Sequence, residues 1–368
     1  MDHFKIHDIN SNQYGWYFSP NIYIFRQEAI SMKPEHLVEA IIDGKRKMPH
    51  VKNIELAIKG VSPLYIGDAE SKEIVAYARA IFDPLNANRT AVPIMLLAKS
   101  GLGKTKFLEG LVMSMGADIF GANDITGAGL GMIKHGQIVS ARFSHVIGVD
   151  EIEKYEAHNI HEALLPLAEA EDKARVRHAI KFLRETGILM VGVCLKDMGG
   201  LRKVGGAERR VHAILQLFRR CVLLKLEADQ PEDRDDYTRM ILGQTKELYK
   251  PKQHLPQSAK DSLAEYGRMF ITAEVGKQIM QRLQKKISFE DEDWSFNYVQ
   301  SRCKGFHLED SVEWGRKMER NLTLLAAGRA LLRGELNVKK EDFTRVGEIL
   351  CCHAQDLGYW DRAKQGSL

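Results

Sequence analysis

The feature that most limits what this chain can fold into is the segment Val92-Pro93-Ile94-Met95-Leu96-Leu97-Ala98-Lys99-Ser100-Gly101-Leu102-Gly103-Lys104-Thr105-Lys106-Phe107-Leu108. An apolar run of strand length enters a glycine-bearing turn and then a stretch with helical apolar spacing. That order aims successive backbone N–H groups and a helix N-terminus at one point, which makes an anion cradle. In such a phosphate loop Ser100, Gly101 and Gly103 line the turn, Lys104 reaches the outer phosphates of a nucleotide, and the Thr105 hydroxyl ligates Mg²⁺. The usual pattern opens on glycine, whereas Ala98 holds that place here; the closing Gly103-Lys104-Thr105 is intact.

Further along, His145-Val146-Ile147-Gly148-Val149-Asp150-Glu151-Ile152-Glu153-Lys154 is a second apolar strand, ending in two acids. Asp150 is expected to hold Mg²⁺ through water, and Glu151 to orient and deprotonate an attacking water. An adjacent acid pair of this kind points to hydrolysis rather than phosphoryl transfer, so ATP and Mg²⁺ are the expected substrate and cofactor.

Around these two motifs the texture changes three times. Residues 1–60 start with aromatic, strand-like runs (Phe4, Ile6, Tyr14, Trp16, Tyr17, Phe18, Tyr23, Ile24, Phe25) broken by turn residues, which predicts a hairpin and then a helix. Residues 61–250 alternate apolar β-branched runs at 92–97, 146–149, 188–193 and 222–226 with amphipathic stretches, the pattern of a parallel α/β sheet. Past the proline-bearing stretch 251–256 the spacing becomes helical, through Ile279, Leu283, Leu322, Leu325, Ala326, Arg329 and Leu332. A helical domain over 251–352 and a tail over 353–368 are expected. At about 150 residues per domain, 368 residues accommodate two or three domains.

Composition excludes several classes. With 44% hydrophobic and 28% charged residues the chain is globular in character, and no apolar run nears the roughly 18 residues of a membrane span. A polar, acidic start, Met1-Asp2-His3, carries no secretory pattern, and five cysteines are too few and odd in number for a disulfide framework. A cytoplasmic, nucleoid-associated protein without membrane contact is expected. The net charge of +4 is too small to imply a nucleic-acid partner by itself.

Taken together the motifs resemble those of AAA+ ATPases, and the flanking segments resemble the MCM replicative helicase group. The lead-in Val61-Ser62-Pro63-Leu64-Tyr65-Ile66-Gly67, with a helix through Ile74 and Ile81, is similar to the MCM segment before the nucleotide strand. Thr126-Gly127-Ala128-Gly129-Leu130 is similar to the stretch before that group's helix insert, and Asp150 to Lys154 is similar to its Asp-Glu-Phe-Asp-Lys run. So are Leu217-Phe218-Arg219-Arg220-Cys221-Val222-Leu223, the acidic turn at 229–235, and a lid carrying Arg320-Asn321-Leu322 and Val338-Lys339-Lys340-Glu341-Asp342-Phe343. The resemblance covers roughly 61–350. It implies a P-loop AAA+ three-layer α/β/α parallel sheet followed by an α-helical lid.

Carried over by position, the resemblance makes Arg219 an arginine finger working on a neighbouring subunit's γ-phosphate, with Arg220 as the alternative in an adjacent register, and Arg320 the sensor-2 arginine of the lid. An arginine acting in trans requires a homo-oligomeric ring, expected as a hexamer. Glu169 to Cys194 aligns with the MCM pre-sensor hairpin and sets Arg177 where that family places a DNA-contacting lysine. Lys173, Arg175, Arg177, Lys181 and Arg184 form a basic run whose phosphate contacts would add up around a channel; the competing reading is a solvated helix face partnered by Glu169, Glu171, Asp172 and Glu185.

Departures from the family pattern are equally definite. Cys194 stands where an asparagine helps position the attacking water, so slow hydrolysis is expected, unless Lys196 or Asp197 takes that role. The span from Leu130 to Asp150 leaves at most a turn around Lys134-His135-Gly136 for the helix insert. Sixty residues before the motor are too few for the family's N-terminal DNA-binding domain, so neither that domain nor the family's C-terminal winged helix is expected in this chain. Cys303 and His307 have a metal-like spacing and Cys351-Cys352-His353 is a cluster, but neither set has a partner pair nearby, and zinc is not expected.

The resulting expectation is a reduced MCM-like DNA helicase that hydrolyses ATP in a ring and serves replication of a mobile element or virus with replication or recombination partners. The rival is a non-translocating ATP switch that assembles on DNA and recruits another enzyme. A remodeller of protein substrates is a third class, for which no aromatic pore motif is found.

Overall fold

The computed structural model describes residues 54–62, 65, 67–82, 90–115, 118–121, 133–134, 137–138, 146–154, 164–168, 189–195, 207–227, 287–307 and 312–361. Two helices, α1 (Ile54–Gly60) and α2 (Ala69–Ile81), lead into strand β1 (Ile94–Ala98), and helix α3 (Lys104–Met115) follows the glycine turn. Strand β2 (Asp118–Gly121), a two-stranded ribbon of β3 (Ile133–Lys134) and β4 (Gln137–Ile138), and β5 (Val146–Asp150) come next. After β5 a 3₁₀ turn (Ile152–Lys154) and the short α4 (Leu165–Ala168) precede β6 (Leu189–Leu195), α5 (Ala207–Phe218) and β7 (Val222–Lys225). The second part holds β8 (Ser288–Phe289), α6 (Glu292–Cys303), α7 (Val312–Leu332), β9 (Asn337–Val338) and α8 (Lys340–Asp356).

Five strands form one parallel sheet in the order β2-β5-β6-β1-β7. All five residues of β1 are buried, as a strand enclosed on both faces requires, and this is why its sequence is a continuous apolar run without alternation. The four runs read as strands from the sequence at 92–97, 146–149, 188–193 and 222–226 are β1, β5, β6 and β7, all members of this sheet. Helix α3 packs against β5 and β2 rather than along its own strand, so its first turn is carried sideways toward the end of β5.

The buried apolar residues of the sheet and of helices α2, α6, α7 and α8 belong to one core cluster. Helix α2 lies within it, with every residue from Ser71 to Ala78 buried. Its polar members are satisfied: Ser71 Oγ donates to the distant Lys225 carbonyl (3.2 Å), and Glu73 accepts from the distant Arg345 (2.8 and 3.1 Å) and from the Tyr77 hydroxyl one turn along the same helix. Helix α7 crosses α2 at Gly328, where a Cβ would run into the backbone of Tyr77, its carbonyl carbon 2.8 Å away. At the start of α8 the fully buried Asp342 is held by Arg329 (2.5 Å) and by Arg333 (2.5 and 3.0 Å), and it accepts from the Lys339 N–H (2.9 Å).

Three details go beyond the sequence reading. Between β2 and β5, Ile133 pairs with Ile138 and Lys134 with Gln137 in an antiparallel ribbon, where the sequence left room for a turn at most. Within the stretch read as helical, Ser288 and Phe289 pair in parallel with Asn337 and Val338. The helical pattern also runs on to Asp356, and Trp360, 6% exposed, packs over Gly305. Among the described residues no helix is long and apolar enough to cross a membrane. The aromatic N-terminal segment, the basic run from Lys173 to Arg184, and residues 251–256 lie outside the described residues.

Candidate functional site

Parallel strands gather ligand-binding loops at their carboxyl ends. The turn after β1 and the acids after β5 both lie there, separated by β6. Gly101 (φ +86°) and Gly103 (φ +75°) take left-handed backbone angles that only glycine adopts without strain, and between them the chain reverses into α3. Lys99, Ser100, Gly101 and Thr105 are exposed, so the concave face of the turn is open to solvent.

Lys104 opens α3 and folds back so that Nζ donates to the Lys99 carbonyl at 3.3 Å. That length is at the weak end for an N–H donor, and an anion in the cradle would take the ammonium over at little cost. Thr105 Oγ1 donates to Asp150 Oδ2 at 2.7 Å. The other carboxylate oxygen, Asp150 Oδ1, is buried without a hydrogen-bond partner among the described residues. An orphaned, buried carboxylate oxygen beside a threonine hydroxyl at the rim of an anion cradle is a donor set of the hard-oxygen kind that Mg²⁺ takes.

Glu151 adopts φ +54°, an unusual angle for a residue with a side chain, at the point where β5 ends and the 3₁₀ turn begins. Ile152 anchors that turn by filling the space above Gly192 of β6, which a Cβ there would occlude. In a 3₁₀ turn side chains three apart eclipse, and here Lys154 Nζ pairs with Glu151 Oε1 at 2.5 Å while its N–H donates to the Glu151 carbonyl at 2.8 Å. The hydrogen bond it donates to Glu151 holds the Lys154 ammonium's pKa above its ordinary value. The sequence reading did not single out this pairing, although the spacing of the two residues was its signal.

The two arginines read as catalytic, Arg219 and Arg320, and Arg220, the alternative to Arg219, are at the opposite end of the sheet. Arg219 and Arg220 follow α5 and precede β7, and the Val222 N–H that comes next donates to the Pro93 carbonyl (2.9 Å) at the amino end of β1. On α7, Arg320 Nη2 donates to the Ala91 carbonyl (2.9 Å), and the buried Asn321 donates to the Arg220 carbonyl (3.3 Å). Burial lowers the Arg320 guanidinium below its usual range. Among the described residues Arg219 Nε is buried without a hydrogen-bond partner, and Nη1 has a long contact to Gln216 (3.5 Å). Five residues at about 3.3 Å each put roughly 16 Å between this edge and the glycine turn, so none of the three reaches the chain's own loop.

Backbone register places Cys194 of β6 opposite Leu97 of β1. Lys173, Arg175 and Arg177 lie outside the described residues, as do Lys196 and Asp197. Cys303 is buried in α6, and His307 Nδ1 lies 3.3 Å from the Gly305 carbonyl. No protein-family model matches the chain, and no curated protein matches it either.

Proposed function

We propose that the chain is an ATPase of the AAA+ class, resembling the MCM motors, which binds ATP at the turn of Ser100, Gly101, Gly103, Lys104 and Thr105 and works on DNA as a homo-oligomeric ring. The observation that carries this reading is the 2.7 Å hydrogen bond from Thr105 to Asp150, which joins the two sequence motifs at one point on the carboxyl edge of a parallel sheet. Thr105 and Asp150 would hold Mg²⁺, which when bound neutralises charge on the phosphate oxygens. Lys104 leaves the Lys99 carbonyl for the phosphates. Glu151 orients and deprotonates water once it is released from Lys154. Because Arg219 and Arg320 sit at the far edge, they serve a neighbour's site rather than their own, which is the physical reason for a ring.

The DNA part of this reading rests on Lys173, Arg175 and Arg177 in the sequence. A second reading, an ATP switch that assembles on DNA and recruits a partner enzyme, is favoured by the Glu151–Lys154 pair, since a base held in an ion pair hydrolyses slowly. Strand displacement and ATPase assays on wild type, Lys104→Ala and Arg177→Ala separate the two. ATPase lost only with Lys104→Ala and unwinding lost with both supports the motor; DNA-stimulated ATPase without unwinding supports the switch. Failure of the wild type to bind ATP with Mg²⁺ overturns both.

A further inference from the structure

Directly against the glycine turn lies Tyr65, 6% exposed, a residue that the loop chemistry does not itself require. Its ring is edge-on to Phe107 of α3 (centroids 5.2 Å apart) and occupies the space where a Cβ on Gly103 would be, 3.1 Å from such an atom. Its hydroxyl lies 2.6 Å from Asp68 Oδ2 and 3.3 Å from the Leu102 carbonyl inside the turn. One hydroxyl proton serves the carboxylate first, with the loop carbonyl as the second acceptor in reach. The buried Lys72 ammonium fixes the backbone of Tyr65 by donating to its carbonyl.

Asp68 is used in an uncommon way. It stands at the N-cap of α2, where an aspartate ordinarily accepts from the helix's own first N–H groups, yet its side chain makes no such bond. One oxygen faces Tyr65, and the other accepts from the Glu227 N–H at 2.9 Å, just past β7. The residue does this from a left-handed conformation (φ 50°, ψ 46°) that disfavours side chains. Leu226 N–H donates to the Leu97 carbonyl at 2.8 Å, so the end of β7 and the start of the glycine turn are locked side by side.

We infer that Tyr65 and Asp68 are positioning residues that hold the phosphate loop in its anion-receiving shape and tie that shape to the carboxyl end of β7; the inference rests on the reading of the loop as a triphosphate site. The tether acts on the loop backbone and not on a base. Its loss therefore weakens every triphosphate alike.

The test uses the full chain with Mg²⁺ and measures the dissociation constants of ATP and of inorganic tripolyphosphate, together with the melting temperature, for wild type, Tyr65→Phe and Asp68→Asn. Tyr65→Phe keeps the ring against Gly103 and Phe107 and removes only the hydroxyl. The expected result is a folded variant that binds ATP and tripolyphosphate more weakly by the same factor, roughly tenfold, the size expected for one hydrogen bond to a charged group. ATP should also slow amide exchange at residues 225–227 in wild type and lose that effect in Tyr65→Phe. Unchanged affinity in folded Tyr65→Phe overturns the inference and leaves the ATPase reading standing, as does a loss confined to ATP, which would make Tyr65 a base contact. A wild type that binds neither ligand overturns the ATPase reading, and this inference with it.

Discussion

Asp150 is the residue on which the two halves of the site meet, and its two oxygens do different things. One accepts from Thr105, and the other is buried with no hydrogen-bond partner among the described residues, a costly arrangement unless a cation completes it. Asp150→Asn keeps the shape and removes the charge, so Mg²⁺-dependent ATP affinity should fall by about tenfold or more while Mg²⁺-independent binding changes little, which titration with and without EDTA reads directly. His353 makes a second residue-level prediction. Its Nδ1 accepts from the Lys225 N–H at 3.1 Å, and burial, acting against the nearby Asp68, Asp356 and Glu227 and with Lys225, holds the imidazole at about 4 rather than 6.5. The unfolded chain thus binds a proton that the folded one refuses between those values. That cost is absent above about pH 6.5, grows as pH falls and saturates below about 4, with an upper size of about 3 kcal/mol. Urea midpoints at pH 7 and pH 4.5 should separate less in His353→Gln than in wild type.

At the scale of elements, the helices that carry no chemistry decide where the chemical residues sit. Helix α7 delivers Arg320 and Asn321 to the amino edge of the sheet only because it can lie directly on α2, and Gly328 is the point of closest approach to the Tyr77 backbone. Backbone does not yield as a flexible side chain would. Gly328→Ala should therefore cost about 1–3 kcal/mol and lower the melting temperature by several degrees, measured by calorimetry, with Arg320 losing its hold on Ala91. The sheet elements themselves were readable in advance, since β1, β5, β6 and β7 are apolar runs of strand length, and all five residues of β1 are buried. Helix α2 was legible as a helix through Ile74 and Ile81. That it is buried on all sides was not, because Ser71, Lys72 and Glu73 are polar, and their partners are the Lys225 carbonyl, the Tyr65 carbonyl and Arg345.

For the whole molecule, the separation of Arg219 and Arg320 from the glycine turn is the property with the largest consequence. Residues that cannot reach their own loop act, if they act on phosphate at all, between copies. Mixing Arg219→Ala with Lys104→Ala should then regain ATPase activity well above that of either alone, because the lysine variant supplies an intact arginine to the arginine variant's intact loop. No recovery on mixing, with each variant still assembling by light scattering, would remove the ring from the proposal.

Sequence alone determined the local order of strand, glycine turn and helix, the paired acids after the second strand, and the apolar runs of the sheet, because each is encoded in residues adjacent along the chain. Only the tertiary structure decided that Thr105 meets Asp150, that Lys154 engages Glu151, that Tyr65 and Asp68 brace the loop, and that three arginines gather at the edge away from it. Hydrogen-bond partners are chosen by which helix crosses which strand, and that choice is made by packing of the common core rather than by spacing in the sequence.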